Sequence, residues 1–319
     1  MKTRNILLDA VRGMAILIVV FAHALQVSGG ETNRMLHDLI RQFQMPLLMA
    51  VSGFAAIFSV GKDNLSTSLA KKSKRLLLPY LCWAVIVFVG DLAMGGCSLR
   101  DVSRYVFCND FWFLRILFEI AIVGMLCERL YGSRILTCIP VRIPRFGFVV
   151  LSGFCCTYLL SMLPGQRSVF HMSIWYALGF AIAVSHQKLP YMVKLSACVA
   201  GAVGYVVLNM GEPITAVRFA RTCCGCLVVV LGCLSVSRWA VVTGGLSRIG
   251  MNTLPIYAIH WCLCFNPRCF AWAKLCRNSG EGVANAIFVA LLWLAVVYSL
   301  IALFKQKRIT RVLLMGEKK

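Results

Sequence analysis

The chain has 319 residues, of which 60% are hydrophobic and 14% are charged, and its mean hydropathy is +0.79. Soluble domains are about half apolar and about a quarter charged, so this composition excludes an ordinary soluble domain, a disordered chain and a small disulfide-rich protein. The 33 Lys and Arg residues outnumber the 12 Asp and Glu residues and give a formal net charge of +21, which needs an explanation in so apolar a chain.

Apolar segments long enough to cross a membrane recur along the whole chain. A spanning helix needs about 20 mainly apolar residues, and about ten segments meet this requirement: 6–28, 39–60, 76–94, 112–130, 146–163, 168–185, 191–210, 217–236, 252–273 and 284–304. The segments between them are short, and the alternating pattern of strands is absent. The sequence therefore predicts an all-α, polytopic integral membrane protein in which residues 1–319 form a single transmembrane domain.

The basic residues are distributed unevenly between the two sides of the predicted membrane. If the N-terminus is cytoplasmic, about two thirds of the Lys and Arg residues fall in inside segments. Connecting segments rich in Lys and Arg stay in the cytoplasm, so this distribution predicts that both termini are cytoplasmic. The net charge thus indicates orientation. It gives poor support to a nucleic-acid-binding role, because no basic face belongs to a soluble fold.

Sixteen cysteines raise the alternatives of a metal site and of disulfide bonds. Most of them fall inside predicted spans, where cysteine behaves as a small apolar residue. Disulfide bonds between outer-loop cysteines, either Cys97 with Cys108 or Cys269 with Cys276, remain open. We expect no metal ion.

The first predicted span carries three polar side chains that are costly inside a membrane. Asp9, Arg12 and His23 interrupt an otherwise apolar run, and an Arg or Asp at the centre of a membrane helix costs about 2.5–3.5 kcal/mol. At about 3.6 residues per turn the three lie on one stripe, and a rise of about 1.5 Å per residue puts about 16 Å between Arg12 and His23. Asp9 and Arg12 have the spacing of an i,i+3 pair, whereas His23 stands alone toward the outer end.

Two interpretations of this stripe remain open. Asp9 and Arg12 either extend to the cytoplasmic interface or serve a functional site. His23 is either packed against a neighbouring helix or acts as a base, since a neutral histidine in apolar surroundings suits proton abstraction from a hydroxyl. The shared stripe favours function. Because Asp9 and Arg12 interrupt what would be the apolar core of a signal peptide, we expect an uncleaved first helix.

The segment from Arg12 to His23, R-G-M-A-I-L-I-V-V-F-A-H, resembles the Arg/Lys-x10-His signature of the membrane acyltransferase-3 family. Gln44 stands where a later family motif often has histidine. The resemblance is nearest to the short, membrane-only branch that includes fucose 4-O-acetylase-like and enterobacterial-common-antigen acetyltransferase-like proteins. Four later segments resemble further family motifs in the same order: Phe43–Phe54, Lys71–Trp83, Asn109–Glu119 and Leu246–His260.

This resemblance implies an O-acyltransferase of the bacterial inner membrane. The expected donor is acetyl-CoA or another acyl-CoA on the cytoplasmic side, and the expected acceptor is a sugar hydroxyl of a surface polysaccharide, a lipopolysaccharide or a lipid-linked glycan. His23 would act as the general base, Arg12 would hold a donor phosphate or carbonyl, and Asp9 would orient Arg12. Direct transfer and an acyl-enzyme remain open, as does the oligomeric state.

The resemblance also implies donor contacts in a basic loop before the third span. Lys71 and Arg75 align with an Arg-x3-Arg pair of the family, and they flank Lys72 and Lys74 in a cluster that would attract the phosphates of coenzyme A. Lysine supplies charge at the first position but lacks the bidentate fork of arginine. The alternative is that this cluster serves membrane orientation alone.

The remaining candidates would contact the acceptor. Three of them, Trp112, Arg115 and Glu119, lie at the start of the fourth span, where the last two have the spacing to hold each other. Asn252 and His260 lie in the ninth span, and Asn252 has an alternative role as a helix cap.

Two further interpretations complete the sequence-based expectations. Ser52 beside Gly53 in the second span is either a reactive hydroxyl or a site of close helix packing, and packing is favoured. His37 is expected in a solvated loop.

An exporter or flippase of polysaccharide or lipid-linked sugar is the alternative to an enzyme, although no convincing internal repeat supports it.

Overall fold

The computed structural model describes residues 5–58, 64–107, 111–131, 145–163, 166–185, 215–236, 239–265 and 281–317. Within these ranges the regular structure is helical and no strand occurs, which confirms the all-α prediction. The α-helices are α1 Ile6–Ser28, α2 Glu31–Arg41, α3 Gln44–Ala56, α4 Leu65–Lys72, α5 Leu78–Ala93, α6 Val102–Phe107, α7 Trp112–Tyr131, α8 Arg145–Ser161, α9 Arg167–Ser185, α10 Thr215–Ser235, α11 Ala240–Met251, α12 Thr253–Ile259, α13 Val283–Gln306 and α14 Arg308–Met315.

Three short helices of other types complete the described elements. A π-helix, π1 (Ser73–Leu77), joins α4 to α5, and a second, π2 (His260–Phe265), continues α12. A 3-10 turn at Leu99–Asp101 precedes α6. Because a π-helix has wider turns than an α-helix and is rare, its two occurrences mark places where the backbone departs from the regular geometry.

Among the described residues, four helical stretches are long and apolar enough to cross a membrane: Ile6–Ser28, Leu65–Ala93, Val217–Ser235 and Val283–Gln306. Two shorter apolar helices occupy Phe148–Ser161 and Ser168–Ala183. These six stretches match or overlap predicted spans. The predicted span 191–210 and the end of the span 252–273 lie outside the described residues.

The structure corrects the predicted boundaries in three places. The span predicted at 39–60 begins at Gln44, because the polar helix α2 ends at Arg41 and a turn follows it. His37 lies in α2 rather than in a solvated loop. The basic segment around Lys71, predicted as a loop, is helical through α4 and π1. Helix α11 was not predicted, because its twelve residues are too few for a spanning segment.

The chain divides into two compact units. The first unit comprises Met1–Val51 and Ser185–Lys305, and the second comprises Ser52–Val184 and Gln306–Lys319. In the first unit, α1 is the central helix and packs against α2, α10, α11 and α12. Its N-terminus is capped by Asn5, whose side-chain oxygen accepts the backbone N–H of Leu8 at 3.0 Å.

Helices α1 and α11 cross with their backbones in contact. A Cβ atom built on Gly13 would lie 2.9 Å from the carbonyl carbon of Leu246, and one built on Gly250 would lie 2.7 Å from the carbonyl carbon of Asp9. Only glycine permits so close an approach, which is typical of small-residue packing between membrane helices. This crossing fixes the part of α1 that carries Asp9 and Arg12.

In the second unit, α7 packs against α8, and α14 packs against α5 and π1. The Trp83 indole N–H of α5 donates to the backbone oxygen of Leu314 in α14 at 3.0 Å. A Cβ atom built on Gly53 would lie 2.7 Å from the carbonyl carbon of Tyr176 in α9. The Ser52–Gly53 step therefore allows close packing of α3 against α9, as the favoured interpretation predicted.

Candidate active site

The two units each contain part of the predicted set of site residues. Asp9, Arg12, His23, Asn252 and His260 belong to the first unit, and Lys71, Arg75, Trp112, Arg115 and Glu119 belong to the second.

Asp9 and Arg12 form the predicted pair on α1. An Nη1 atom of Arg12 lies 3.3 Å from Oδ1 of Asp9. Asp9 is only 4% exposed, because the backbone of α11 covers it at Gly250. A buried carboxylate needs a partner of opposite charge. Asp9 therefore neutralises the guanidinium and restricts its orientation while Arg12 remains partly exposed.

His23 does not stand alone on α1, as the sequence suggested, but contacts His260. Its Nδ1 atom lies 3.1 Å from Nε2 of His260, and the two rings are nearly parallel, with centroids 5.3 Å apart. His260 has no solvent exposure, and its own Nδ1 lies 2.7 Å from the backbone oxygen of Ile256. Two residues separated by 237 positions in the chain thus form a hydrogen-bonded histidine pair.

Two aromatic rings complete the surroundings of this pair. The Trp261 ring meets the His23 ring edge-on at 5.2 Å, and the Tyr257 ring meets the His260 ring edge-on at 6.1 Å. Apolar walls of this kind exclude water and strengthen the hydrogen bonds that they enclose. The pair is a hydrogen-bonded polar group with aromatic rings packed against it.

Asn252 joins the start of α12 to its neighbours. Its side-chain nitrogen donates to the backbone oxygen of Arg248 at 3.0 Å, and its side-chain oxygen accepts from the Lys305 ammonium at 2.8 Å. Asn252 occupies the N-cap position of α12, yet its side chain makes no capping hydrogen bond there. The predicted alternative role as a cap is therefore wrong. The prediction that Asn252 binds substrate stays untested.

The basic cluster of the second unit lies on the helix that leads into α5. Lys71 lies in the last turn of α4 and Arg75 lies within π1, and both side chains are exposed. Arg75, the second residue of the pair, thus lies on a π-helix, a feature that is frequent at functional sites. Exposed cations on one short segment suit the binding of a polyanion.

A polar cluster lies at the start of α7. Nε of Arg115 lies 3.6 Å from Oε1 of Glu119, and the same oxygen accepts the side-chain amide of Gln166 at 3.1 Å. The expected Arg115–Glu119 pairing is thus confirmed, and Trp112 begins the helix next to it. Within the described ranges, Oε2 of Glu119 and Oε1 of Gln166 are buried and make no hydrogen bond. These two oxygens could accept hydroxyl groups of a sugar.

Sequence reasoning missed two polar residues that carry buried side-chain atoms without a hydrogen bond in the described ranges. Gln166 precedes α9 and becomes notable only through its contact with Glu119. Asn33 in α2 has no exposure, and neither side-chain heteroatom has a hydrogen-bond partner in the part of the chain that the structure describes. No spacing or motif in the sequence distinguishes either residue.

Other expectations concern metal and disulfide chemistry. The described residues contain no group of three or more His, Cys, Asp or Glu side chains that could hold a metal ion. Cys108, Cys269 and Cys276, which the suggested disulfide bonds require, lie outside the described residues.

Helix α1 is long and apolar, and it carries both the Asp9–Arg12 pair and His23, which contacts His260. These features define a membrane-embedded protein with a polar site among apolar helices. The chain belongs to the acyltransferase-3 family, because the model of that family, described as an acyltransferase domain, matches residues 5–304. The family match extends across both units.

Two similar proteins carry the name nodulation protein NolL. The one from Sinorhizobium fredii is 30% identical over 124 residues, covering 35% of this chain and 34% of the relative. The one from Mesorhizobium japonicum is 27% identical over 124 residues, covering 35% of this chain and 33% of the relative. The matched part of the chain thus spans about a third of the length of these relatives. No solved structure matches the chain.

Proposed function

We propose that this protein is an O-acyltransferase that moves an acyl group, most simply acetyl, from a cytoplasmic acyl-CoA to a sugar hydroxyl of a surface polysaccharide, a lipopolysaccharide or a lipid-linked glycan. The observation that carries the proposal is the histidine pair. His23, placed by its motif on α1, is held at 3.1 Å from the buried His260. A positioned imidazole is the usual base for activating a hydroxyl.

The reaction requires one proton transfer, whichever route the acyl group takes. The acceptor oxygen must lose its proton as it bonds to the acyl carbon, and His23 takes that proton. In direct transfer the carbon–sulfur bond of the thioester breaks in the same step, and the thiolate leaves with its electron pair. General-base catalysis of this kind contributes about 10²–10⁴-fold to the rate.

The donor contacts are proposed separately for each unit. In the first unit, Arg12 binds a donor phosphate or carbonyl, and its ion pair with Asp9 limits the orientations of the guanidinium. In the second unit, the exposed Lys71 and Arg75 attract the phosphates of coenzyme A. Neither step uses a metal ion.

The acceptor contacts are likewise proposed separately for each unit, beginning with the second. Trp112 would stack on a sugar ring, while Arg115 and Glu119 would bind its hydroxyls. The buried oxygen Oε2 of Glu119, which makes no hydrogen bond within the described ranges, supports this assignment. In the first unit, Asn252 and His260 are the candidates that the family resemblance implies.

The proposed location is the bacterial inner membrane, crossed by about ten helices with both termini in the cytoplasm. The four long apolar helices support several crossings. The uneven distribution of Lys and Arg supports the orientation.

The test compares His23→Ala with Gln26→Ala, an exposed position three residues further along the same helix. Membranes containing each variant receive radiolabelled acetyl-CoA or succinyl-CoA, and label is counted in the polysaccharide and glycolipid fractions. Wild type and Gln26→Ala should transfer label, whereas His23→Ala should lose about 100-fold or more. Full labelling by both His23→Ala and Arg12→Ala would refute the proposal. Loss of surface polymer in His23→Ala, with no label transferred by any variant, would instead indicate an exporter.

A further inference from the structure

The contacts of the histidine pair fix the positions of its hydrogens. The backbone oxygen of Ile256 can only accept, so Nδ1 of His260, 2.7 Å away, must carry a hydrogen. A histidine without solvent exposure is neutral at much lower cost than charged. A neutral imidazole has one hydrogen, so Nε2 of His260 is an acceptor. The His23 Nδ1 atom, 3.1 Å from that acceptor, must therefore donate.

This chain of hydrogen bonds selects one tautomer of His23. With its hydrogen on Nδ1, neutral His23 carries its basic lone pair on Nε2. We propose that His260 is a positioning residue that holds His23 in the tautomer whose Nε2 removes the proton of the acceptor hydroxyl. This inference rests on the proposed function and deepens it, because it assigns the reacting atom and gives His260 a role that does not require contact with substrate.

The proton balance of the step is simple. The O–H bond of the acceptor breaks, and an N–H bond forms at Nε2 of His23. The acceptor oxygen bonds to the acyl carbon, and the thiolate of coenzyme A leaves. The imidazolium that forms keeps its hydrogen bond from Nδ1 to His260, which is stronger when the donor is charged. The proton is then released from Nε2 to the thiolate or to water, and the neutral tautomer returns.

The backbone holds His260 for this role. The Ile256 oxygen accepts the backbone N–H of His260 as well as its Nδ1–H, so two hydrogen bonds connect one residue to one carbonyl. The π-helix π2 starts at His260 and changes the direction of the residues that follow. One of these is Trp261, whose ring packs against His23. Both partners of the His23 ring thus lie at the junction of α12 and π2.

Two substitutions at position 260 separate the proposed role from a structural one. A glutamine places its side-chain oxygen the same number of bonds from Cα as Nε2 of histidine, so His260→Gln keeps an acceptor for His23 and loses the donor to Ile256. An asparagine places its amide nitrogen at the level of Nδ1, so His260→Asn keeps that donor and loses the acceptor. The two variants are similar in polarity and each removes one of the two contacts.

The proposal predicts that His260→Asn lowers kcat about 100-fold while the KM for acetyl-CoA stays within about twofold. His260→Gln should stay within about tenfold of wild type, since it retains the acceptor. If His260 only anchors the helix, the order of the two variants reverses. That reversal, or equal activity of the two, would overturn the proposal.

A measurement on the unmodified pair distinguishes this inference from the proposed function. Solid-state NMR of isotope-labelled histidine reads the tautomer from the imidazole nitrogen shifts, in a variant with glutamine at His37, His171 and His186. His23 should show a protonated Nδ1 and an unprotonated Nε2. A protonated Nε2 on neutral His23 would overturn the inference even if the enzyme is active. The expected tautomer in a protein that transfers no acyl group would refute the function and leave only the assignment of the His23 tautomer standing.

Discussion

The substitution Gly250→Ala tests how the crossing of α1 and α11 supports the site. A Cβ atom at this position would lie 2.7 Å from the carbonyl carbon of Asp9 and 2.9 Å from the backbone nitrogen of Gly13. Ordinary contacts between such atoms are about 3.5–4.0 Å long. The two helices would therefore have to separate by about 1 Å, and no flexible side chain can absorb the change because both contacts are with backbone.

The expected cost follows from two opposing effects. Replacing glycine by alanine inside a helix gains up to about 1 kcal/mol of helix propensity. Overpacking a close contact costs about 1–3 kcal/mol and sometimes more, and here the contact is closer than side chains can accommodate. We expect a net loss, visible as a fall of roughly 2–6 °C in the melting temperature of the detergent-solubilised protein.

The same helix provides a matched control. Gly245 also lies in α11, and a Cβ atom built there would have no neighbour within 4 Å among the described residues. Gly245→Ala should therefore melt at or slightly above the wild-type temperature, since it gains helix propensity without a clash. The assay is thermal unfolding followed by size-exclusion chromatography of each variant. The proposed backbone contact would be refuted if the melting temperature of Gly250→Ala equalled that of Gly245→Ala or exceeded that of wild type.

Two further predictions concern the second unit and α2. Gln166→Ala removes the amide donor that lies 3.1 Å from Glu119. It should raise the KM for the sugar acceptor about fivefold and leave the KM for acetyl-CoA unchanged. An unchanged acceptor KM would contradict a sugar-binding role for this cluster. Burial lowers the pKa of His37 despite the opposing effect of the Asp38 carboxylate. As the pH falls below about 6.5, the unfolded chain therefore binds a proton before the folded chain does, and the free energy of unfolding decreases. Between about pH 8 and pH 5.5 the melting temperature of His37→Gln should therefore decrease less than that of wild type. An equal decrease in both proteins would contradict the burial of His37.

The parts of the fold that the sequence predicted well are those where composition alone decides. Helix α1 was predicted at 6–28 and occupies Ile6–Ser28. Its apolar run is long, and it is followed by two glycines with positive φ angles. The Asp9–Arg12 pair was predicted because helix geometry fixes i,i+3 neighbours. Local rules therefore determined these features without knowledge of the other helices.

The features that the sequence could not predict depend on contacts between distant segments. The partner of His23 is His260, and no local pattern relates two residues 237 positions apart. The family resemblance had singled out both histidines without joining them. Helix α11 was missed for a related reason: it is short, contains three glycines and one arginine, and becomes meaningful only when Gly250 meets α1.

The two π-helices connect these observations. Within the described ranges they occur at Ser73–Leu77 and at His260–Phe265, and each contains a residue that the family resemblance placed in the site, Arg75 or His260. A π turn has no apolar pattern of its own, so sequence periodicity does not reveal it. It is also less stable than the α-helical turn that it replaces, and it tends to persist where the altered direction of a side chain has a use. At His260 such a use is visible, because π2 begins there and its second residue, Trp261, packs against His23 beside His260. By the same reasoning, the π-helix at Arg75 strengthens the assignment of the basic segment to the donor, beyond the role that its charge has in membrane orientation.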